Sequence, residues 1–479
     1  MSLKYQVFSA VRWTTAASGV RTLIQLAQVA LLARLLTPAD YGLMAMVAVV
    51  LGFSSILSDM GVSSAYVQRQ YVTERERSSL FWLNVILSGV LTLLLVTLSP
   101  VVANWFSDER LTPLLMLSSS IFIISALGQQ VRINAEKALN FRPLVVLEVG
   151  ASLLGFAAAV ITAVAGWGVY ALIMGAIVTA FSSTVLAWLC LADGWRPLWR
   201  FQLIEIRSYL GFGGSLVANN LVNEVNRSID LLLGGRMLGA VALGLYSLPR
   251  QLVFQIQGIV NPVVTRVGFP LIAQVQTDII QVRSIYLKIL NMTAAVNAPL
   301  YVGIAFFSPE VISIVLGNQW LAAVDLLSLL AIWGGLRSTG NPVGSLLLGM
   351  GRADLSLKWN LAMLLIVPPV LWGGAQFGTL GLAWALLGFS VVMFVPGWYI
   401  LVRPLCKVGL VEYTLVTLRP FLLAVVSVVP AYGVANQFDG AVARLIVGVL
   451  VAAPLYLVVS YKANREWFDA MQRLVRFGA

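Results

Sequence analysis

The chain has 479 residues, of which 59% are hydrophobic and only 11% charged. A soluble domain carries about 25% charged residues, so this composition excludes a sizeable soluble domain and makes lipid the solvent for most side chains. The net charge of +11 is not accompanied by the aromatic–basic interleaving that binds nucleic acid. Histidine is absent altogether, which removes His-based catalysis and His-ligated metal sites.

The N-terminal stretch carries Lys4 and Arg12 and then runs to Leu35 through Arg21, Gln25 and Gln28 without a small-residue cleavage site. It reads as a retained first helix and not as a cleaved signal. Apolar runs of about 20 residues between polar breaks then mark successive crossings. The expected spans are Val11–Leu35, Gly42–Ser63, Leu80–Phe106, Thr112–Val131, Leu144–Ala165, Gly168–Ala192 and Gly211–Leu233. They continue with Ala240–Val264, Ile285–Phe307, Leu321–Met350, Leu355–Ala375, Leu380–Val402, Leu415–Val434 and Ala441–Tyr461. Residues 462–479 follow as an amphipathic helix with Phe468, Met471, Leu474 and Val475 on one face, suited to lie on a membrane surface.

With fourteen spans, 23 of the 31 Lys and Arg residues fall on the side of the N-terminus. Four, Arg34, Arg110, Arg236 and Arg444, fall opposite, and four lie within spans: Arg21, Arg227, Arg250 and Arg337. That asymmetry supports the span count and expects both termini in the cytoplasm. The loops on the other side are short and leave no room for an external domain. Cys190 and Cys406 fall near expected cytoplasmic helix ends, where a structural disulfide is not expected.

The first half of the chain returns in the second. Arg34-Leu-Leu and Gly42-Leu43 match Arg236-Met-Leu and Gly244-Leu245 at a displacement of 202 residues. Further on, Arg142 and Glu148 pair with Arg352 and Lys358 at 210, and Gly168, Gly175, Val178 and Phe181 pair with Gly381, Gly388, Val391 and Phe394 at 213. The organisation read from this is a six-helix lobe at 1–200, a second at 201–405, two extra helices at 406–461 and the terminal helix at 462–479. The fold class is an all-α polytopic membrane protein with its two lobes in pseudo-two-fold arrangement about the membrane normal.

The repeat also aligns polar positions. Ser18, Arg21, Gln25 and Gln28 recur at spacings of 3, 4 and 3, one face of a helix. Adding 202 gives Asn220, Asn223, Arg227 and Asp230, while Ser55 and Asp59 become Gln257 and Asn261. Polar groups face lipid at high cost, so these residues, with Arg250 and Arg337, are expected to line a hydrophilic cavity between the lobes. For each group the competing reading is a buried interhelical contact. Glu224 and Arg227 are spaced to pair on one helix. Asp59 reads equally as a proton or cation site and as a counter-ion to an arginine, with Arg21 a candidate partner.

Three segments carry a resemblance: Leu31-Leu-Ala-Arg-Leu-Leu-Thr-Pro-Ala-Asp-Tyr-Gly-Leu43, Ser58-Asp-Met-Gly-Val-Ser-Ser-Ala65 and Leu348-Gly-Met-Gly-Arg-Ala-Asp-Leu355. They are similar to signatures of polysaccharide exporters in the multidrug/oligosaccharidyl-lipid/polysaccharide superfamily, and most resemble Wzx-type flippases. The resemblance covers essentially the whole chain. It implies a two-lobe fold and translocation, without bond breakage, of an undecaprenyl-diphosphate-linked oligosaccharide from the cytoplasmic to the periplasmic face of a bacterial inner membrane. It calls for no cofactor beyond a coupling ion, H+ or Na+, whose use the sequence leaves open. Its implied partners are the lipid-linked sugar, membrane lipids and downstream polymerase or export machinery, with no nucleic acid. In relatives that flip peptidoglycan precursors, arginines on the first and eighth helices bind the diphosphate, and Arg21 and Arg250 are similar in placement. This chain departs in setting Asp59, Glu224 and Asp230 against its four embedded arginines. The alternative within the same superfamily is a cation-coupled multidrug exporter, for which Asp59 is the candidate acid in the first lobe. A glycosyl polymerase or ligase would need catalytic groups and a long external loop that the sequence lacks.

Overall fold

The computed structural model describes residues 3–478, with side chains for all of these except 3–18, 203–205, 207–208, 210–216, 259–260, 262–267, 470 and 473–478. All regular structure among the described residues is helical. In chain order the first helices are α1 (Leu3–Leu35), α2 (Pro38–Asp59), α3 (Val62–Gln68), α4 (Glu74–Phe106) and α5 (Leu111–Lys137). Next come α6 (Phe141–Val164), α7 (Val169–Leu191), α8 (Leu203–Gln274) and α9 (Ile279–Phe306). The short α10 (Ser308–Val311) leads to α11 (Val324–Thr339), α12 (Pro342–Gly349) and α13 (Ala353–Ala375). The chain closes with α14 (Gly378–Val392), α15 (Phe394–Gly397), α16 (Arg403–Cys406), α17 (Leu410–Ala435), α18 (Ala441–Ala463) and α19 (Arg465–Gly478).

Eleven described helical segments are long and apolar enough to cross a membrane, or twelve when the pair Gly378–Val392 and Phe394–Cys406, bent by 42°, is one span. Each of the fourteen expected spans coincides with helix. The seventh and eighth are continuous within α8 apart from one break, at Gly239, whose φ of 78° and ψ of 176° only glycine adopts readily. Local sequence explains the other departures. The second expected span ends early, at Asp59, because Met60 and Gly61 both take left-handed backbone before α3 begins. The tenth divides into α11 and α12 ahead of Pro342, which has no N–H to continue the ladder. Pro396 sits at the bend of the twelfth.

The signature segments lie at helix junctions. In Thr37-Pro-Ala-Asp40 the Thr37 hydroxyl accepts from the Asp40 amide at 3.3 Å, and the Asp40 carboxylate accepts from the Thr37 amide at 2.9 Å. With Pro38 in the first turn this is a capping box that starts α2. Thr73 and Glu76 repeat the box at the start of α4. In the third segment Gly351 has φ 67° and Arg352 donates to Asp354 at 2.9 Å.

By its contacts the chain forms two compact units, Met1–Gly244 and Leu245–Ala479. In the first, α6 packs along α7, α5 on α4 and α7, and α1 on α6. Small residues permit this closeness where no hydrophobic force acts between helices in lipid: a methyl at Gly155 of α6 would lie 1.8 Å from the Thr179 hydroxyl of α7. In the second unit α9 packs on α11 and α17, and α17 on α18. A reciprocal amide pair, Asn291 with Asn464 at 2.9 and 3.0 Å, joins α9 to the residue that precedes α19, and Arg419 of α17 adds a third bond at 2.8 Å. The helix expected at the C-terminus is α19. Its Trp467 is buried among residues of α9, α17 and α18, while Leu474 and Val475 lie outside the described side chains.

Candidate functional site

In the first unit Arg21 does not stand alone. Its Nη1 donates to Glu148 Oε2 at 2.8 Å, and both side chains keep substantial exposure, 45% and 39%. The carboxylate comes from α6, the neighbour on which α1 packs. The partner is Glu148 and not the expected Asp59. Gln25, one turn further on, is exposed and Gln28 half-buried. Ser18 falls outside the described side chains.

Asp59 closes α2 and is engaged by neutral donors. The Ser63 hydroxyl donates to Oδ1, and Gln129 Nε2 donates to the same oxygen at 2.7 Å and to the Ser63 hydroxyl at 3.0 Å. Gln129 lies on α5, so this cluster ties the α2–α3 corner to the helix behind it. It offers a carboxylate held by two hydrogen-bond donors, and among the described residues no cluster of three or more Cys, Asp or Glu able to hold a metal forms anywhere.

On α8 the stripe of 3, 4 and 3 spacing is present: Asn220, Asn223 and Arg227 are exposed, and Asp230 is buried. Glu224 beside it accepts from the Ser228 hydroxyl at 2.9 Å. A methyl at Gly52 of α2 would lie 2.7 Å from Glu224 Oε1, so the glycine makes the room in which the carboxylate sits.

In the second unit two of the expected residues converge. The Arg250 guanidinium lies 4.6 Å from the centre of the Phe254 ring, and the Arg337 guanidinium lies 5.3 Å from the same ring. Arg337 is also 5.3 Å from the Trp333 ring, which meets Phe254 edge-on at 5.8 Å and 75°. Arg250 is buried and Arg337 exposed. The helices are locked at this level: a methyl at Gly334 of α11 would lie 2.1 Å from a Val253 methyl, and the Tyr301 hydroxyl of α9 donates to the Val253 carbonyl at 3.1 Å. A turn further along, the Asn261 side-chain oxygen accepts from Ser338 at 2.9 Å, with Gln257 half-buried between. Two guanidiniums sharing one aromatic ring combine cation–π attraction with planar donor forks. That combination suits an anion with several oxygens.

Four participants escape a reading of embedded charge: Gln129, Glu148, Phe254 and Trp333. A signal existed for the last two. Phe254 follows Arg250 by four residues and Trp333 precedes Arg337 by four, so each aromatic shares a helix face with its arginine. Glu148 carried a weaker mark, since its counterpart in the repeat is Lys358 and the charge reverses.

Comparison with known proteins shows the family. The polysaccharide biosynthesis protein family matches residues 31–325. The teichuronic acid biosynthesis protein TuaB of Bacillus subtilis (strain 168) is 34% identical over 96% of this chain and 96% of its own length. The lipopolysaccharide biosynthesis protein WzxC of Escherichia coli (strain K12) is 29% identical over 92% of this chain and 90% of its own. Among solved structures, the lipid II flippase MurJ in an inward closed conformation superposes with a TM-score of 0.75 at 13% identity, covering 95% of this chain and 99% of that one. At that identity the likeness speaks for the fold. The chain therefore belongs to the polysaccharide biosynthesis protein family.

Proposed function

We propose that the protein translocates undecaprenyl-diphosphate-linked oligosaccharide repeat units across a bacterial inner membrane, from the cytoplasmic to the periplasmic face, for surface polysaccharide biosynthesis. The observation that carries the reading is the pair of arginines on Phe254, Arg250 and Arg337. A diphosphate needs several donors at once, and two forked guanidiniums provide them. Arg21, Gln25, Gln28, Asp59, Asn220, Asn223, Arg227, Asp230, Gln257 and Asn261 are assigned to the polar path of the sugar. Exposure of that path alternates between the two faces, and no bond is made or broken. The family supports a role in polysaccharide assembly, which gives the transported unit a consumer in downstream polymerase or export machinery. Both termini lie in the cytoplasm on this reading, from the distribution of 23 basic residues against four.

A strain deleted for the gene tests the proposal. Lipid-linked repeat units should accumulate on the cytoplasmic face, and the intact gene should clear them. Normal appearance of the unit on the periplasmic face of the deletion strain would overturn it, and a shift in sensitivity to cationic drugs instead would favour the exporter reading. Reporter fusions at Ala479 and in the loop at 436–440 should report opposite sides.

A further inference from the structure

On the face formed by α6 and α7 lies an open groove of about 660 Å³, whose lining includes Arg142, Val146, Gly150, Leu154, Leu186 and Cys190. Its walls are apolar, and its one charged group, Arg142, stands at the end where α6 begins. Val146, Leu153 and Leu154 are exposed there. From Arg142 to Leu154 the helix rises about 18 Å, close to the depth of one leaflet, half of a hydrocarbon core of about 30 Å. Gly150 keeps the groove open at mid-length, since a methyl there would meet nothing nearer than Leu186 Cδ1 at 3.8 Å.

The repeat offers a contrast. The counterpart of Arg142 is Arg352, which is bonded to Asp354 at 2.9 and 3.1 Å. The position equivalent to Asp354 in the first half is Leu144, which is buried. The two halves thus differ in the residue two positions after this arginine, Leu144 in the first and Asp354 in the second.

We propose that this groove binds one anionic phospholipid of the leaflet in which α6 begins. An acyl chain lies along Val146, Gly150 and Leu154, and the lipid phosphate sits on Arg142. Charge selects the headgroup, and the match of groove length to leaflet depth selects a single chain over a crossing helix. The site is separate from the arginine pair on Phe254, so the proposal is independent of what the protein transports.

The test uses the full chain, purified and delipidated in mild detergent, with bound lipid counted by native mass spectrometry. The protein should retain one phosphatidylglycerol about fivefold over phosphatidylcholine. Arg142→Gln should bring that ratio to about one, Arg352→Gln should leave it unchanged, and Gly150→Leu should lose both lipids from the site. Should Gly150→Leu misfold, the native chain gives a second reading. Cys190 lines the groove and is exposed while Cys406 is buried, so phosphatidylglycerol should slow alkylation of Cys190 by N-ethylmaleimide several-fold. Equal retention of the two lipids, an unchanged ratio in Arg142→Gln, or an unchanged alkylation rate would each overturn the proposal. Displacement of phosphatidylglycerol by equimolar undecaprenyl diphosphate would overturn it too, by making the groove a site for the prenyl tail.

Discussion

Gly42 and Gly244, equivalent positions of the two halves, pack reciprocally against one another's helices. A methyl on Gly42 would lie 1.7 Å from the carbonyl oxygen of Ala240, and one on Gly244 would lie 1.7 Å from that of Pro38. Ala240 is the counterpart of Pro38 at the same displacement of 202. Within the first compact unit, α2 and α8 therefore present equivalent positions to each other. The Thr-Pro-Ala-Asp-Tyr-Gly signature gains a meaning from this: its capping box starts α2 where its glycine must meet α8.

Gly42→Ala and Gly244→Ala should each destabilise the protein, because the obstructing atom is backbone and yields only if a helix moves. A cost of about 1–3 kcal/mol is expected for such overpacking, and the reciprocal geometry predicts similar losses at both positions. Gly89 of α4 has nothing within 4 Å of its missing methyl, so Gly89→Ala should hold or raise stability through helix propensity. Thermal unfolding in one detergent compares the three. Wild-type stability in Gly42→Ala would contradict the close crossing.

Arg21 and Glu148 should behave as a coupled pair. A lone charge near the middle of a membrane helix costs about 2.5–3.5 kcal/mol on insertion scales. Arg21→Leu and Glu148→Leu should therefore each lower the amount of folded protein, and the double variant should recover much of the loss. Additive losses would uncouple them. Export measured at equal abundance then asks a separate question: full export by the double variant would remove Arg21 from the substrate path.

The arginine pair of the second unit should respond to shape as well as charge. Arg337→Lys keeps the charge and loses the fork, and Phe254→Leu removes the shared ring while filling its space. Each should reduce export about tenfold, as a loss of roughly 1–2 kcal/mol would, with membrane abundance unchanged. Abundance is read by immunoblot and export by the repeat units that reach the outer face. Parallel loss of protein and export would make the cluster a packing element.

One loop carries a pH dependence whose sign is fixed by geometry. Asp108, between α4 and α5, accepts from the Arg110 side chain at 2.9 and 2.7 Å and from its amide at 3.1 Å. The side-chain bonds hold its carboxyl below the ordinary value, against the opposing effect of burial. A carboxylate with a lowered folded pKa stabilises above its unfolded value, near 3.9, and that stability fades as pH falls through the folded value. Arg110→Ala should cost at most about 1 kcal/mol at neutral pH and nothing in strong acid. Unfolding curves of the two proteins across that range should converge at low pH; parallel curves would refute the link.

Much of the architecture was legible in the sequence for a simple reason. Lipid imposes one length and one polarity on each crossing, so the apolar runs mark where the helices lie, eleven or twelve of which are long and apolar enough to cross a membrane among the described residues. The stripe from Asn220 to Asp230 was equally plain, because spacing along a helix fixes which residues share its face. Neighbours on other helices were not legible. Nothing in the run from Ser18 to Gln28 names Glu148, 127 residues from Arg21, and nothing around Asp59 names Gln129. Nor does the sequence place Arg250 and Arg337, 87 positions apart, on one phenylalanine. Those partnerships depend on which helices pack together and at what rotation. That is settled where Gly334 admits Val253, Gly52 makes room for Glu224, and Gly42 and Gly244 let two backbones touch. A glycine in a sequence marks such a place without saying what fills it; the tertiary structure supplies the other side of each contact.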